Sequence, residues 1–498
     1  MKTKRTIFTG FLAAALLLAG CAGTGEPSDV TSDETDGAVD ESTTQSEEET
    51  RYTPDLPDVT FDGYEFKILQ RSPEMQWGEV CIWADSENGE PINDAVYKRN
   101  VYIESKYDIK IVPVNFTGDI YQGEMKQQFI QSVMSGDQAF DMAMMGVIDA
   151  SGLATEGYLV DLYTVPNIDL TKEWWDVSVN ESLTIMDKLY YGISRMGIND
   201  KDDSFVILFH KQLAEELGIE SPYQMVRDNR WTFDNFIATA KLAVNDLNGN
   251  GQFDDDDRYG YSGFNAEAWN LFYAGGARIA QVGDDGKPEI TMVNERSQQL
   301  YEKIYTLFNN DNIMYNTQKF PGETLHDVTY QLLSNKQVLF AGAGMIVVQK
   351  ARAMDDDFGI LPYPKLDENQ EKYYTILGQT GATAVTIPKT NENLERTGII
   401  IEAMVAESMN TIYPAYYDIN LVGKGIRDEE SEEMLDLIMD GRGFDIGALY
   451  GWGDLSNVLI NSLLNKNESL ASEFAKNEAA AIAAMQKTIE TFEKSNAD

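Results

Sequence analysis

Short apolar segments with strand spacing alternate with segments of helical spacing in the first part of the folded chain. Strands are predicted at 64–70, 109–114 and 140–145, because their apolar residues alternate or run together between glycines. Helices are predicted at 92–107 and 120–134, where apolar residues recur three or four positions apart. A strand–helix–strand–helix–strand order predicts a parallel sheet with crossover helices, and therefore an α/β fold.

The chain has 498 residues. That is too long for one hydrophobic core, since single cores stop growing beyond about 250–300 residues, so two α/β lobes are expected. Further strands are predicted within 190–209, 337–348, 358–364 and 383–388, and further helices at 211–217, after Thr232, at 394–407 and at 470–492. None of these segments is apolar over a length that predicts a membrane-spanning helix.

The N-terminus has the order of a bacterial secretory signal. Three cations among the first five residues precede an apolar run, 7–18, which is shorter than the roughly 20 residues that a membrane span requires. The tetrapeptide at 18–21, Leu-Ala-Gly-Cys, resembles a lipobox. That resemblance implies removal of a signal peptide, 1–20, and attachment of lipid to the thiol of Cys21. The alternative is an ordinary signal peptide with an incidental cysteine.

An acidic segment follows the leader. Residues 22–50 contain ten acidic residues and no Lys or Arg, a composition that buries little apolar surface and repels itself. The sequence therefore predicts a disordered tether over 21–57, between the lipid and the folded part; a terminus without a role has the same composition. Cys81 is the only cysteine besides Cys21, so no disulfide is expected.

The charge balance excludes one class of partner. Asp and Glu number 82 against 39 Lys and Arg, and the formal net charge is −43. Phosphate backbones are bound through clusters of Lys and Arg, so no nucleic-acid partner is expected. The chain contains two histidines, which argues against a zinc or iron site.

Four sets of short segments share the order and spacing of one protein family. They lie at 140–145 with 157–162, at 188–192 with 209–211 and 217–219, at 357–362, and at 386–389. The second half of the first set, Gly-Tyr-Leu-Val-Asp-Leu, and the last, Thr-Ile-Pro-Lys, are typical of it. In these segments the chain resembles the family 1 extracellular solute-binding proteins, which include maltose-binding and alginate-binding proteins.

The resemblance implies the type II periplasmic-binding-protein fold, in which two doubly wound lobes close about a hinge over a ligand. It places the first lobe at 58–200 and 359–410, and the second lobe at 205–358 and 411–498. It further implies the lipid-anchored solute-binding subunit of a bacterial ABC importer, which delivers its solute to transmembrane permease subunits. Such a protein is expected to be a monomer that contacts the membrane only through its lipid.

The segment 246–257 has the register of a calcium-binding loop. Oxygen-bearing side chains stand at positions 1, 3, 5, 9 and 12 of the motif, and the glycine that such a loop needs stands at position 6. The predicted ligands of Ca²⁺ are Asp246, Asn248, Asn250, the carbonyl oxygen of Gln252, Asp254 and Asp257. An aspartate replaces the usual glutamate at position 12 and reaches less far. The alternative is an acidic turn left in solvent.

Ligands of doubly wound lobes contact the loops at the carboxyl ends of strands. Aromatic rings can stack on sugars, and charged groups can bind their hydroxyls. Together with the rule, this predicts as ligand contacts Arg71, Trp83, Asp149, Trp269, Tyr273, Tyr450 and Trp452. Trp452 is the strongest of these, because the glycines on either side of it predict a mobile loop. The alternative for each aromatic residue is packing in the core.

Three functions remain open on this reading. The first is capture of a carbohydrate, preferably a neutral oligosaccharide, without catalysis. The second is a lipid-anchored carbohydrate-active enzyme, which would use a pair of carboxylates; no nucleophile motif such as G-x-S-x-G is present. The third is a surface adhesin, for which repeats or small β domains would be expected.

Overall fold

The computed structural model describes residues 51–309, 312–319, 324–417 and 428–494. The predicted signal peptide, the predicted lipidation site Cys21 and most of the predicted tether lie outside the described residues. Residues 51–57, which the sequence assigned to the tether, are held to the folded unit. Arg51 pairs with Glu407 at 2.6 Å, and the amide of Tyr52 donates to Asn410 Oδ1 at 2.9 Å.

The strands and helices alternate through most of the chain. The strands are β1 Tyr64–Arg71, β2 Ile109–Phe116, β3 Met142–Gly146, β4 Phe205–His210, β5 Tyr259–Gly263, β6 Ala280–Val282, β7 Pro288–Ile290, β8 Met314–Asn316, β9 Val338–Gly344, β10 Phe358–Leu361, β11 Thr375–Ile376, β12 Thr383–Thr386 and β13 Arg442–Gly443. The helices are α1 Pro91–Tyr107, α2 Glu124–Ser135, α3 Val147–Thr155, α4 Val177–Leu183, α5 Asn199–Asp202, α6 Lys211–Glu216, α7 Pro222–Arg227, α8 Phe233–Ala243, α9 Glu267–Ala274, α10 Glu295–Asn309, α11 Leu325–Ser334, α12 Ile346–Ala351, α13 Leu394–Asn410, α14 Ile412–Pro414, α15 Glu429–Asp440, α16 Ile446–Leu449, α17 Leu455–Leu464 and α18 Leu470–Lys494.

The first sheet has the strand order β12-β3-β1-β2. Strand β1 pairs in parallel with β2 and β3, and β12 is antiparallel to β3. Crossover helices α1 and α2 join these parallel strands, which confirms the α/β prediction from the spacing of apolar residues. Strand β3 is buried along its whole length, as its unbroken apolar sequence requires.

The second sheet has the strand order β10-β4-β9-β5-β8. Strand β4 is apolar at five consecutive positions because both of its faces are covered. Phe205, Ile207 and Phe209 face one core, and Val206 and Leu208 face another. The two sheets form the two lobes of the type II periplasmic-binding fold.

The chain returns to the first sheet later than the sequence indicated. Strand β10 pairs antiparallel with β4, so residues 358–361 form an edge of the second sheet, and this corrects the boundary expected at 359. The return lies between β11 and β12, where the amide of Gly378 donates to the carbonyl of Asp203 on the outgoing crossing at 2.8 Å. The division of the C-terminal region is also corrected, because Phe492 of α18 packs on Tyr190 in the core of the first sheet.

Trp452 lies in the core and not on a mobile loop. Its side chain is 1% exposed, stacks on Tyr450 with ring centroids 5.4 Å apart, and donates from Nε1 to Thr488 Oγ1 of α18 at 3.0 Å. Gly453 adopts φ of 62° and lies so close to Ala481 that a Cβ would be 2.6 Å from the alanine Cβ. The glycine therefore provides close packing against α18, which corrects the exposed loop expected from the sequence.

Candidate functional site

A cavity of about 790 Å³ lies between the two lobes. The loop after β1 provides Trp77, and the crossing segments provide Asp203 and Gln379. Helix α9 provides Trp269 and Asn270 from the second lobe. A cavity of several hundred Å³ is typical of small-molecule sites, so this cleft is the candidate binding site.

Three polar side-chain atoms of residues that line this cavity lack a hydrogen-bond partner within the described protein. They are Nε1 of Trp269, Oδ1 of Asn270 and Nε2 of Gln379, and all three are buried. Buried polar groups are almost always hydrogen-bonded, because an unmet donor or acceptor costs about 1–3 kcal/mol. Unpartnered donors and acceptors on residues that line the same cleft suit a ligand that carries hydroxyl groups.

Glu267 fixes the orientation of the Asn270 amide. Its Oε1 accepts a hydrogen bond from Asn270 Nδ2 at 3.1 Å, and the amide oxygen of Asn270 has no partner among the described residues. Its Oε2 accepts from the hydroxyls of Tyr261 and Tyr363. Gly342 of β9 makes room for this group, since a Cβ there would lie 2.8 Å from Oε1 of Glu267. Burial raises the pKa of Glu267 to about 7.

The raised pKa of Glu267 makes stability fall with rising pH. A carboxyl group with a pKa of about 7 when folded and about 4.3 when unfolded binds more protons in the folded state. We expect the contribution of the Glu267 carboxyl group to the free energy of unfolding to be complete below pH 4 and lost as pH rises through 7. Relative to Glu267→Gln, the wild type should lose up to about 3 kcal/mol of unfolding free energy between these limits. Urea denaturation of both proteins across this pH range measures the difference; a constant difference would contradict the buried carboxyl group.

Trp77 reaches into the cleft from a strained backbone. Its φ of 56° is in the left-handed region, which is unusual for a large side chain. The loop holds this conformation through a bond from the Gly78 amide to the carbonyl of Met75 at 3.0 Å. The Trp77 ring meets the edge of His326 on α11, with centroids 6.2 Å apart, so this contact joins the two lobes over the cavity. Strain of this kind is concentrated at binding and catalytic sites.

Comparison with known proteins identifies the family. The family model for bacterial extracellular solute-binding proteins matches residues 83–404, more than half of the chain. The chain belongs to this family. No individual curated protein matches the sequence.

Solved structures share the fold of this solute-binding protein. The lacto-N-biose-binding protein of a Bifidobacterium longum ABC transporter, in complex with lacto-N-biose, is 15% identical, with a TM-score of 0.55, covering 86% of this chain and 98% of its own. An ABC substrate-binding protein from Listeria monocytogenes, in complex with cycloalternan, is 13% identical, with a TM-score of 0.53, covering 86% and 99%. Maltose-bound MalE3 of T. maritima is 12% identical, with a TM-score of 0.50, covering 86% and 99%. At these identities the likeness shows the fold alone.

The residues nominated from the sequence occupy different parts of this solute-binding protein. Trp269 lines the main cavity, and Arg71 and Asp149 line an adjoining cavity of about 670 Å³. Tyr273 lies at the other end of α9, beneath the guanidinium of Arg278, in a cavity of about 330 Å³.

The remaining nominated aromatic residues lie away from the main cavity. Trp83 is on the surface, with 44% of its area exposed, and Tyr450 packs with Trp452 in the core. The sequence reasoning missed Trp77, Asn270 and Gln379. Only Trp77 had a usable signal, because it follows β1 in a loop, next to a glycine.

The predicted calcium loop closes on itself. The carboxylate of Asp246 accepts from the amides of Gly249 and Gly251 at 2.7 and 2.8 Å, and that of Asp257 accepts from Leu247 and Asp254 at 2.9 Å each. The side-chain amides of Asn248 and Asn250 donate to the carboxylate of Asp254 at 3.4 and 3.1 Å. Across the described residues, no group of three or more His, Cys, Asp or Glu side chains is placed to hold a metal ion.

Within the described ranges, no helix is both long and apolar enough to cross a bilayer.

Proposed function

We propose that this solute-binding protein captures an oligosaccharide between its two lobes and delivers it to the membrane subunits of an ABC importer. The observation that carries the proposal is the set of unpartnered polar atoms on Trp269, Asn270 and Gln379, three residues that line one cleft beside aromatic rings. Sugars present hydroxyls at their edges and apolar faces above and below the ring, and this lining matches both. The relatives in complex with lacto-N-biose, cycloalternan and maltose support a carbohydrate.

The charge of the cleft favours a neutral ligand. The chain as a whole has many charged residues, yet none of the described residues that line the main cavity is Lys, Arg or Glu. Burial lowers the pKa of His326, which keeps its imidazole neutral at pH 7. Side-chain amides form much of the polar lining: Gln76, Asn265, Asn270, Gln318, Gln379, Asn457 and Asn461.

The proposed function is binding of the sugar without a chemical reaction. Glycoside hydrolysis ordinarily uses two carboxylates on either side of the scissile bond. Among the described residues that line the main cavity, Asp203 is the only one with a carboxylate, and its Oδ2 already accepts the amide of Gly381 at 2.8 Å. Burial raises the pKa of Asp203 to about 7.

The proposed location is the outer face of the cell membrane. The leader at 1–20 and the Leu-Ala-Gly-Cys motif support cleavage before Cys21 and its acylation. The acidic segment 22–50 would then act as a solvated tether. Substitution of Cys21 by alanine should release the protein from the membrane fraction, and unchanged attachment would contradict a lipid anchor.

A sugar screen tests the function. Protein comprising residues 51–498 is titrated with a library of neutral oligosaccharides, peptides and polyamines while its melting temperature is recorded. We expect a subset of oligosaccharides to raise the melting temperature, because a ligand that binds only the folded state stabilises it, and to be recovered uncleaved. New reducing ends would favour an enzyme, and no shift with any oligosaccharide would contradict carbohydrate capture.

We also propose that the loop 246–257 binds Ca²⁺ in a structural role. The chemistry of the loop supports this, since carboxylate, amide and carbonyl oxygens are the ligands that Ca²⁺ prefers, and three of the side chains, Asn248, Asn250 and Asp254, already meet at the carboxylate of Asp254. The ion would neutralise the acidic side chains and stabilise the loop next to β5.

Removal of calcium should lower stability. At an ion concentration about 100 times the dissociation constant, binding contributes about 2.7 kcal/mol, so a chelator should lower the melting temperature and excess Ca²⁺ should restore it. Asp246→Asn should abolish the response. The matched control is Asp256→Asn, which changes the same charge in the same loop outside the predicted ligand positions. An unaltered melting temperature after chelation would show that the loop is only an acidic turn.

A further inference from the structure

Arg71 is a buried cation that has no ion-pair partner among the described residues. At the carboxyl end of β1, its side chain is 2% exposed. Within the described structure its only hydrogen bond is a long one of 3.5 Å, from Nη1 to the carbonyl of Gly381, and Nε has no partner. Burying a guanidinium away from water without strong hydrogen bonds costs free energy. The burial of Arg71 therefore calls for a functional explanation.

The chain makes space for this guanidinium. Gly146, the last residue of β3, lies against Arg71, and a Cβ at that position would be 2.1 Å from Nη2. Any larger residue at 146 would therefore displace the side chain. The end of β3 and the end of β1 together form a seat for the guanidinium on the first lobe.

The seat opens into a second chamber beside the main cavity. This chamber has a volume of about 670 Å³ and adjoins the main cavity, with which it shares the lining residues Tyr121 and Thr380. Lys126 at its edge is already paired with Glu156 at 2.8 Å. The charged groups left to meet a ligand there are Arg71 and Asp149.

Asp149 complements Arg71 in this chamber. It lies in the first turn of α3 and is 8% exposed, and no hydrogen bond to its carboxylate is found within the described structure. Burial raises its pKa, and the charges of Arg71 and Lys126 act in the opposite direction. The chamber therefore presents charged donors and a charged acceptor that are both buried and both short of partners.

We propose that this chamber is a second sugar subsite, in which Arg71 donates to one hydroxyl and Asp149 accepts from a neighbouring hydroxyl of the same neutral sugar unit. The proposal rests on the proposed function and extends it, because the bound oligosaccharide then spans both chambers past Tyr121. A carboxylate on the ligand would pair with Arg71 but would be repelled by Asp149. An ammonium group on the ligand would pair with Asp149 but would be repelled by Arg71. Only a group that both donates and accepts satisfies both residues.

Chain-length dependence of binding tests the subsite. Wild type, Arg71→Met and Asp149→Asn are titrated calorimetrically with neutral gluco-, galacto-, manno- and xylo-oligosaccharides from the disaccharide upward. Hydrogen bonds to charged groups contribute enough that each variant should lose about ten- to a hundred-fold in affinity for the longer sugars. The shortest sugar that binds should be unaffected, because it fills only the main cavity. Lys67→Met is the matched control, because it removes a partly exposed cation of β1 outside the chamber, and it should behave as wild type.

The outcomes separate the two proposals. Equal losses for short and long sugars, or no loss in either variant, would overturn the second subsite while leaving carbohydrate capture in place. Tighter binding of an oligosaccharide ending in a uronic acid than of its neutral counterpart would also overturn it. If the wild type binds none of the sugars, both proposals fail. Asp149→Asn preserves the shape of the side chain, so it tests the subsite even where Arg71→Met perturbs folding.

Discussion

Replacing Trp269 with alanine is expected to weaken oligosaccharide binding by roughly one hundred-fold, which corresponds to about 3 kcal/mol. The residue is 8% exposed, lines the main cavity and has an Nε1 without a hydrogen-bond partner among the described residues. Loss of stacking on an aromatic platform costs about 1–3 kcal/mol, and loss of one hydrogen bond adds about 0.5–1.5 kcal/mol. Such buried tryptophans are the usual centres of binding energy.

Two further variants separate the contributions of Trp269. Trp269→Phe retains a ring but has no donor, so it should recover most of the affinity that alanine loses. Trp83→Ala removes a tryptophan from the surface, outside the main cavity, and should leave the dissociation constant unchanged. Calorimetric titration with the sugar that gives the largest melting shift provides these constants. Equal affinity of Trp269→Ala and wild type would place the ligand elsewhere.

Replacing Trp452 with alanine is expected to lower the free energy of unfolding by about 3–5 kcal/mol without changing sugar affinity. The side chain is buried between Tyr450 and α18, and its Nε1 donates to Thr488. Removal leaves a cavity, and the surrounding helices relax only in part. Urea denaturation monitored by circular dichroism measures the loss.

Thr488→Val isolates the hydrogen bond of Trp452. This variant keeps the shape of the partner and leaves the indole N–H buried without an acceptor, so it should cost about 1–3 kcal/mol, less than the loss of the whole ring. A stable Trp452→Ala protein with weakened sugar binding would reverse the assignment and return this residue to the ligand site.

The core of the first lobe could be predicted from the sequence because its signals are local. The apolar spacing predicted strands at 64–70, 109–114 and 140–145, and the structure has β1, β2 and β3 within one or two residues of those bounds. The pairing of β10 could not be predicted in this way. A short apolar strand fits the edge of either sheet, and its partner is decided by long-range contacts with β4.

The binding residues were harder to predict than the fold. Trp269 could be nominated because it is aromatic and precedes a pair of glycines. Asn270 and Gln379 have no distinguishing sequence context, since amides are common in loops and helices alike. Their positions beside the cleft depend on tertiary contacts, such as those of Glu267 and Tyr261 behind Asn270, and on the crossing segment that carries Gln379.

The glycines on either side of Trp452 led to a wrong prediction from the sequence. Flanking glycines indicate either mobility or close packing, and local sequence does not distinguish the two. The structure shows close packing, because Gly453 allows the backbone to approach α18. At Gly146 the same residue type makes space for a side chain, here the guanidinium of Arg71.

The central claim is that the cleft between the two lobes holds an intact sugar, and the crystal structure of residues 51–498 with its best-binding oligosaccharide tests it most directly. The account predicts an uncleaved sugar against Trp269, hydrogen-bonded to Asn270 and Gln379. A sugar bound outside this cleft, or density for a cleaved product within it, would contradict the account.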